Sequence, residues 1–463
     1  MRQHFSIIQS LAFVEEIRTR YPDSSIFVVG GAVRDVMLAK GGIRDWDLVV
    51  RGIPIDELEA LLADFGSVVL VGRKFGVFKL SLSDERFADY HFDIALPRTE
   101  FALSGSGRRN DFSVESNHLL PIEDDLSRRD FTINAMAWDL GREALVDPFG
   151  GQKDLEMKTI RAVGDPETRF REDYTRLLRA VRFAAVLGFD VEEKTSLAMK
   201  AVAAEISRSG AIPKEMIALE FYKSLAADPV RTLKLYDSSG ILLAVFPELA
   251  KYKEIEIVHG LSLWNYTLSL LSRVGKSRGE LRSEDFFAAV LFALLLHSGR
   301  TLGGEVARSW DRRIDFAHGF CRNYCLSMAA SGIEESVTWM LKTCRFLEEG
   351  DGSLAEAEKL LFSPHFHWLV LAIVLREDSL LSMEVSSSPS PFYARLSAIL
   401  QKLPIVGGVL PPRLVDGDIL KKELEIESGP RMKELLASIR EAQLRGKFKN
   451  QKDAIIYAKS LIK

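Results

Sequence analysis

Asp45-Trp-Asp47 sets two carboxylates two residues apart at the start of an apolar run from Trp46 to Val50. Side chains at i and i+2 of a strand point the same way, so this pair can converge on hard cations such as Mg²⁺. Two ions held in that way activate an attacking hydroxyl and neutralise a leaving pyrophosphate. A lone Asp-x-Asp also suits a solvated strand end, but this one follows Val28-Val-Gly30-Gly31-Ala-Val-Arg34-Asp35. An apolar strand ending in two glycines at a helix start turns backbone N–H groups toward an anion, with Arg34 one turn on. Taken alone, the glycines need mean no more than a turn. Asp93, between Phe92 and Ile94, is a third carboxylate on an otherwise apolar run, costly there unless it faces an edge, a partner or a metal. It can join Asp45 and Asp47 as a ligand, or accept the proton of a nucleophile.

Two further segments carry guanidinium groups. Ser127-Arg128-Arg129-Asp130-Phe-Thr-Ile-Asn134 predicts a helix from Arg128 to Trp138 capped by Ser127, with Phe131, Ala135 and Trp138 on one stripe and Asp130 and Asn134 on another. Two arginines suit a triphosphate, and Asp130 or Asn134 suits ribose hydroxyls; a capped surface helix with salt bridges is the plainer alternative. Arg171-Glu-Asp173-Tyr-Thr-Arg176-Leu-Leu-Arg179 predicts one continuous helix in which Asp173 and Arg176 are neighbours, with Arg179 joining the nucleotide-binding set. An intrahelical ion pair would account for the two. The sharper reading is a protein template. Cytosine and adenine each offer an amino donor beside a ring-nitrogen acceptor, so an accepting Asp and a donating Arg would pair with them and reject uracil and guanine.

The elements that must position these groups change texture along the chain. Strands are expected at Ser25–Val29, Trp46–Val50, Val68–Val71, Val77–Ser81, His91–Leu96 and Ala144–Val146, with helices near 6–20, 31–39, 55–64 and 128–138. Ser104–Asp111, with Gly105, Gly107, Arg108 and Arg109, reads as a mobile basic loop. From about residue 152 the periodicity is helical, so the fold class is α+β followed by all-α: a small mixed sheet, then helices. Ser386–Pro391 marks a linker or long turn, and a boundary is expected near Pro247–Lys253.

A chain of 463 residues has room for two to four domains of the usual ~150 residues. Its 47% apolar and 27% charged content is that of a globular protein and excludes disordered and collagen classes. No apolar run reaches the ~20 residues of a membrane span, and Glu15 and Glu16 stand where a signal peptide would be apolar, so a cytoplasmic protein with no membrane partner is expected. Cys321, Cys325 and Cys344 are too few for a disulfide framework; Cys321 and Cys325, one turn apart in an apolar helix, read as core thiols. A net charge of −4 argues against coating nucleic acid by global attraction. Locally, Arg440–Lys463 holds seven Lys or Arg against two acidic residues, so a phosphate-backbone contact through Arg440, Arg445, Lys447 and Lys449 stands beside a solvated helical face.

Taken in order, these segments resemble the class II tRNA nucleotidyltransferases, the CCA-adding enzymes and their bacterial poly(A) polymerase relatives in the polymerase-β-like superfamily. The resemblance rests on Gly-Gly-x-Val-Arg-Asp with Asp-x-Asp, Arg128-Arg-Asp-x-x-x-Asn-Ala, Asp147-Pro-Phe-Gly-Gly and Glu172-Asp-x-x-Arg176. It implies a nucleotidyltransferase head (1–148), a base-recognising neck (149–250), a helical body (251–384) and a tail (385–463) that holds the tRNA elbow. It further implies two Mg²⁺ ions on Asp45 and Asp47, ribose and triphosphate contacts from Arg128–Asn134, and base selection by Asp173 and Arg176. The expected reaction is template-independent addition of C and A from CTP and ATP to the tRNA 3′ end. The rivals are CC-only or A-only addition, a poly(A) polymerase, and a silent tRNA-binding protein on the same fold. Val258-His-Gly, Trp264-Asn-Tyr-Thr and Leu296-His-Ser-Gly-Arg resemble a degraded HD phosphohydrolase body, in which Tyr266 and Ser298 replace two metal ligands and leave too few. Lys214 and Met216 depart from the Ser-x-Glu-Arg pattern of the family's neck.

Overall fold

The computed structural model describes residues 2–71, 76–102, 112–258, 261–276, 278–280, 283–296, 309–349, 353–361, 397–399, 401–404 and 410–462. The Ser104–Asp111 and Ser386–Pro391 segments, His259, His297 and Ser298 lie outside the described residues. The chain divides into two compact units, Met1–Ala250 and Lys251–Lys463.

The first unit is built on seven strands: β1 (Ser25–Val29), β2 (Asp45–Arg51), β3 (Gly66–Leu70), β4 (Val77–Leu82), β5 (His91–Ala95), β8 (Ala137–Asp139) and β9 (Ala144–Val146). Their order is β3-β4-β5-β2-β1-β8-β9, and β2 and β5 are the one parallel pair among them. A separate hairpin joins β6 (Arg98–Ala102) to β7 (Phe112–Ser116). Alternation decides what each face of the sheet carries. Trp46 and Phe92 point into a core covered by α1 (Arg2–Gln9) and α2 (Ala12–Arg20): Phe5 stacks on Trp138 at 4.9 Å and meets Trp46 edge-on, and Phe13 meets Phe92 edge-on. The expected single helix over 6–20 is therefore two, broken at Ser10 and Leu11, where Leu11 adopts extended backbone and starts α2. The helices expected near 31–39 and 55–64 are α3 (Gly31–Met37) and α4 (Ile55–Ala63).

On the opposite face, Phe27, Val29, Val49 and Ala137 pack with Ile122 and Leu126 of α5 (Ile122–Ser127). Here the expected helix over 128–138 is absent. Ser127 is the last residue of α5, donating its hydroxyl to the Asp124 carbonyl rather than capping a new helix, and Arg128 is the C-cap. Phe131 is extended and bridges Ala162, a single 3₁₀ turn covers Thr132–Asn134, and Trp138 lies in β8. Every residue from Phe131 to Trp138 is buried. A stretch buried on all sides shows no solvent-facing stripe, and Phe131, Ile133, Ala135 and Ala137 fit period two as well as the stripe read for a helix.

Apart from a short parallel pair of Thr159–Ile160 with Asp190–Val191, the rest of this unit is helical: α6 (Gly151–Glu156), α7 (Pro166–Glu172), α8 (Thr175–Leu187), α9 (Glu193–Ser209), α10 (Lys214–Ala227), α11 (Pro229–Ser238), α12 (Ile241–Val245) and α13 (Pro247–Ala250). The helix expected through Asp173 is two helices. Asp173 has φ −144° and ψ 104°, and its Oδ1 accepts from the Thr175 N–H (2.9 Å) and hydroxyl (2.6 Å), a side-chain cap that competes with continuous helix. In the second unit, helices Gly417–Leu424, Pro430–Leu444 and Gln451–Ile462 share a core of Leu420, Met432, Leu435, Ile439, Phe448 and Ala454. Cys321 and Cys344 are buried free thiols, whereas Cys325 falls past the end of helix Trp310–Asn323 in left-handed backbone and is half-buried. Tyr266 is buried in helix Leu263–Lys276.

Candidate active site

Because β2 and β5 run parallel with Asp47 opposite Asp93 and Asp45 opposite His91, all three carboxylates stand on the face away from Trp46 and Phe92. Lys79 of β4, in register with Asp93, brings its ammonium to 3.7 Å of that carboxylate. The Asp47 carboxyl is held above its ordinary value, first by loss of solvent and then by the charges of Asp93 and Asp45, against the pull of Arg129. Among the described residues no three His, Cys, Asp or Glu form a group able to hold a metal by themselves. Asp47 lines the cavity and Asp45, exposed on the same face of β2, does not; the pair could supply two hard oxygen donors, the number Mg²⁺ takes when phosphate and water complete its shell.

Asp47 and Asp93 line a cavity of about 1370 Å³ inside the first unit, together with several arginines. Arg128 is held by Asp125 (2.8 and 3.0 Å) and by Glu100 of β6 (2.7 Å), and Arg129 by the other oxygen of Asp125 (3.1 Å). Burial would raise the Asp125 carboxyl, but the two guanidiniums hold it below its usual range. Asp125 fully buried and charged is thus what aims both arginines. Gly30, at φ +70°, makes room for one of them: a Cβ there would stand 2.7 Å from Arg129 Nη1 and 3.6 Å from Asp47 Oδ2. Its own N–H is spent on the Met136 carbonyl at 3.3 Å, so Gly30 does not offer the free donor expected of it. Gly31 begins α3, where Arg34 binds Asp35 and donates to the side-chain amide oxygen Oδ1 of Asn134 (2.7 Å).

Asp130 and Asn134 meet although no α-helix carries them, Asn134 Nδ2 donating to Asp130 Oδ1 at 3.1 Å. Arg179 closes on the other oxygen of Asp130, Nε at 2.8 Å. Burial alone would raise the Asp130 carboxyl; Arg179, Asn134 and the Phe131 N–H outweigh it and hold it down at about 2. Asp173 and Arg176 both line the cavity, and they do not form the intrahelical ion pair that was the plainer alternative. Arg176 pairs with Glu172 (2.7 Å) and donates to the carbonyls of Arg169 (2.9 Å) and Arg128 (3.1 Å). Among the described residues, that leaves Asp173 Oδ2 and the Arg176 Nε without a hydrogen-bond partner.

Several lining residues escaped sequence reasoning: Lys79, Arg98, Glu100, Arg182 and Phe183, with Glu220 behind Arg182 at 2.6 Å. Only Asp125 carried a local signal, standing three and four residues before Arg128 and Arg129. In the second unit the basic tail departs from expectation at Arg440, which is 6% exposed and bound to Glu358 (2.7 and 2.8 Å) and to the Pro411 carbonyl (2.9 Å). It is a buried structural cation, not a surface contact for phosphate. Arg445 is exposed and pairs with Glu441 (2.6 Å); Lys447, over the Tyr457 ring at 5.3 Å, and Lys449 are also exposed.

Comparison with known proteins places this geometry. Residues 26–161 match the family of the poly A polymerase head domain, 188–253 the "Probable RNA and SrmB- binding site of polymerase A", and 383–458 a second domain of tRNA nucleotidyltransferases. A multifunctional CCA protein of Stenotrophomonas maltophilia is 39% identical over 229 residues, 48% of this chain and 52% of that protein. A CCA-adding enzyme of Geobacillus thermodenitrificans is 35% identical over 229 residues, 49% of this chain and 52% of that one. The chain thus spans about half the length of the curated relatives it matches. The fold is shared with a solved CCA-adding enzyme of Bacillus stearothermophilus in complex with CTP, with a TM-score of 0.65 at 23% identity over 99% of this chain and 98% of that one. A Thermotoga maritima CCA-adding enzyme complexed with tRNA gives a TM-score of 0.57 at 20% identity over 97% and 93%.

Proposed function

We propose, from the match of residues 26–161 to the poly A polymerase head domain, that this chain is a tRNA nucleotidyltransferase that adds C and A nucleotides from CTP and ATP to the 3′ end of tRNA without a nucleic-acid template. The observation that carries this reading is that one cavity gathers the Asp47 and Asp93 carboxylates, the arginines Arg128, Arg129 and Arg179, and the pair Asp173 and Arg176.

The reaction joins the 3′-hydroxyl oxygen of the primer to the α-phosphorus of the nucleotide and breaks the bond to pyrophosphate. Nucleotidyltransferases of this family are generally metal-dependent, and Asp45 and Asp47 would hold two Mg²⁺ ions that screen the phosphates and acidify the attacking hydroxyl. Asp93 accepts that hydroxyl's proton. Arg128 and Arg129, preset by Asp125, meet the phosphates, so little reorganisation accompanies the charge that develops on the leaving group. Asp130 or Asn134 meets the ribose. Asp173 accepts from the exocyclic amino group of C or A through its unoccupied oxygen, and Arg176 donates to the ring nitrogen. Uracil or guanine would set acceptor against acceptor and donor against donor, and a site built on such bonds rejects the mismatch strongly. Residues 1–148 serve as the catalytic head, 149–250 as the neck, 251–384 as a non-hydrolytic body, and 385–463 as the tail that holds the tRNA elbow.

The test is to incubate the purified chain with tRNA lacking one, two or all three terminal nucleotides, with each of the four nucleoside triphosphates singly and combined, and to size the products. Stepwise completion of C, C and A is expected, and its loss in Asp47→Ala. Incorporation by Asp47→Ala equal to wild type would sink the assignment of the carboxylates. Growth by C alone, by one A alone, or by a long A tract would replace the proposed reaction with one of its partial or polymerising relatives.

A further inference from the structure

Phe183, only 6% exposed, stands in the cavity wall with three guanidinium groups packed on its ring: Arg182 at 4.2 Å from the ring centroid, Arg34 at 5.3 Å and Arg179 at 5.4 Å. Its ring also meets Phe131 edge-on at 5.7 Å. Each cation has its own anchor on the far side: Asp35 and Asn134 for Arg34, Asp130 for Arg179, Glu220 for Arg182. Asn134 also donates to Asp130, so Arg34 and Arg179 share one network, but Glu220 is bonded to Arg182 and no single anchor holds all three cations. The one group all three touch is the ring. An aromatic face carries a negative quadrupole that attracts a cation within about 6 Å, more strongly where water is excluded. It also offsets the mutual repulsion of three like charges gathered at one wall. A leucine would fill much of the same space and supply none of this.

We propose that Phe183 is a positioning residue: its π face gathers Arg34, Arg179 and Arg182 into one preformed cationic surface against which the incoming nucleotide binds. This rests on the nucleotide-transfer reading above and deepens it. Two of the arginines and the ring come from α8, while Arg34 comes from α3, so the same contact ties the glycine-led helix of the head to the helix that begins beside Asp173.

The test replaces Phe183 with mono-, di- and pentafluorophenylalanine, which keep the ring's shape while draining its negative face, in the full-length chain. ATP affinity is measured by calorimetry without tRNA. It should weaken stepwise along the series, by about tenfold at the pentafluoro ring. Phe183→Tyr should bind as wild type does, and Phe183→Leu should fall at the weak end of the series. A flat series overturns the proposal, because packing alone responds to volume and not to the ring's charge distribution. Wild-type affinity in Phe183→Leu overturns it too. Extension of tRNA by the wild-type chain, assayed in parallel, reports separately on the reaction: ATP binding without extension would overturn the transfer reading while the fluorination slope still decides the role of the ring.

Discussion

Asp130 is nearly buried yet charged, because its oxygens take hydrogen bonds from the Phe131 N–H, Asn134 and Arg179. Held at about 2, it lies below the ordinary carboxylate value of ~3.9, so protonating it costs more in the folded chain than in the unfolded one. The sign follows. The stability it contributes, on the order of 2 kcal/mol, is fully present above about pH 4 and is lost as the pH falls toward 2. Urea midpoints measured at descending pH should therefore drop less steeply below about pH 4 in Asp130→Asn than in wild type. Parallel slopes in the two proteins would mean that Asp130 is not held down by Arg179. Arg128 and Arg129 follow the same logic from the opposite side: a buried, charged Asp125 sets where both can point.

At the scale of elements, the junction between α7 and α8 decides how Asp173 and Arg176 are used. Continuous helix would have spent both on each other. The break at Asp173 gives one of its oxygens to the start of α8 and leaves the second open to the cavity, while Arg176 takes its support from Glu172 and two carbonyls. Asp173→Ala should cost about 1 kcal/mol by loss of the cap and also relax selection against UTP and GTP. Asp173→Asn separates the two effects. Asn caps as well as Asp, so thermal stability should stay near wild type, while an amide N–H₂ in place of the open oxygen should weaken C and A incorporation. Single-nucleotide incorporation with all four triphosphates, beside a melting curve, reads both. An unchanged preference for C and A in Asp173→Asn would reduce this carboxylate to a cap.

Across the whole molecule, charge and packing divide the basic tail. The net charge of −4 leaves nucleic-acid affinity to local patches. Arg440 is not part of one: its pairing with Glu358 closes a gap of 82 residues inside the second unit, beside a core that includes Ile439, Ala442 and Phe448. Truncation at Arg440 would remove that core along with the charge, so the informative change is confined to exposed lysines. Replacing Lys447, Lys449, Lys452 and Lys459 together by Gln should leave the melting transition in place and make the fall of tRNA affinity with salt shallower, by about 0.7–0.9 in log–log slope for each phosphate that the tail no longer neutralises. A slope equal to wild type would identify this surface as a solvated helical face. Among the described residues no helix is long and apolar enough to cross a membrane.

Local pattern determined a good part of this protein. The period of two that places Asp45, Asp47 and Asp93 on one face and Trp46 and Phe92 on the other is written into the chain, as are the strands at Ser25–Val29 and Ala144–Val146 and the helices that start at Gly31 and Ile55. The four motifs in order also carried the resemblance to the class II tRNA nucleotidyltransferases. Tertiary structure alone decided the rest. Phe131–Trp138 is enclosed on every side, so no amphipathic face marked its backbone as turn and strand. The helix expected through Asp173 gave way to a cap made by one side chain. Glu220 behind Arg182 and Glu358 behind Arg440 are ion-pair partners 38 and 82 residues away, and the gathering of three arginines on Phe183 exists only once α3 and α8 are packed. Periodicity states which face of an element is apolar; it carries no record of which distant charge will be brought against it, because that choice is made by the packing of whole elements.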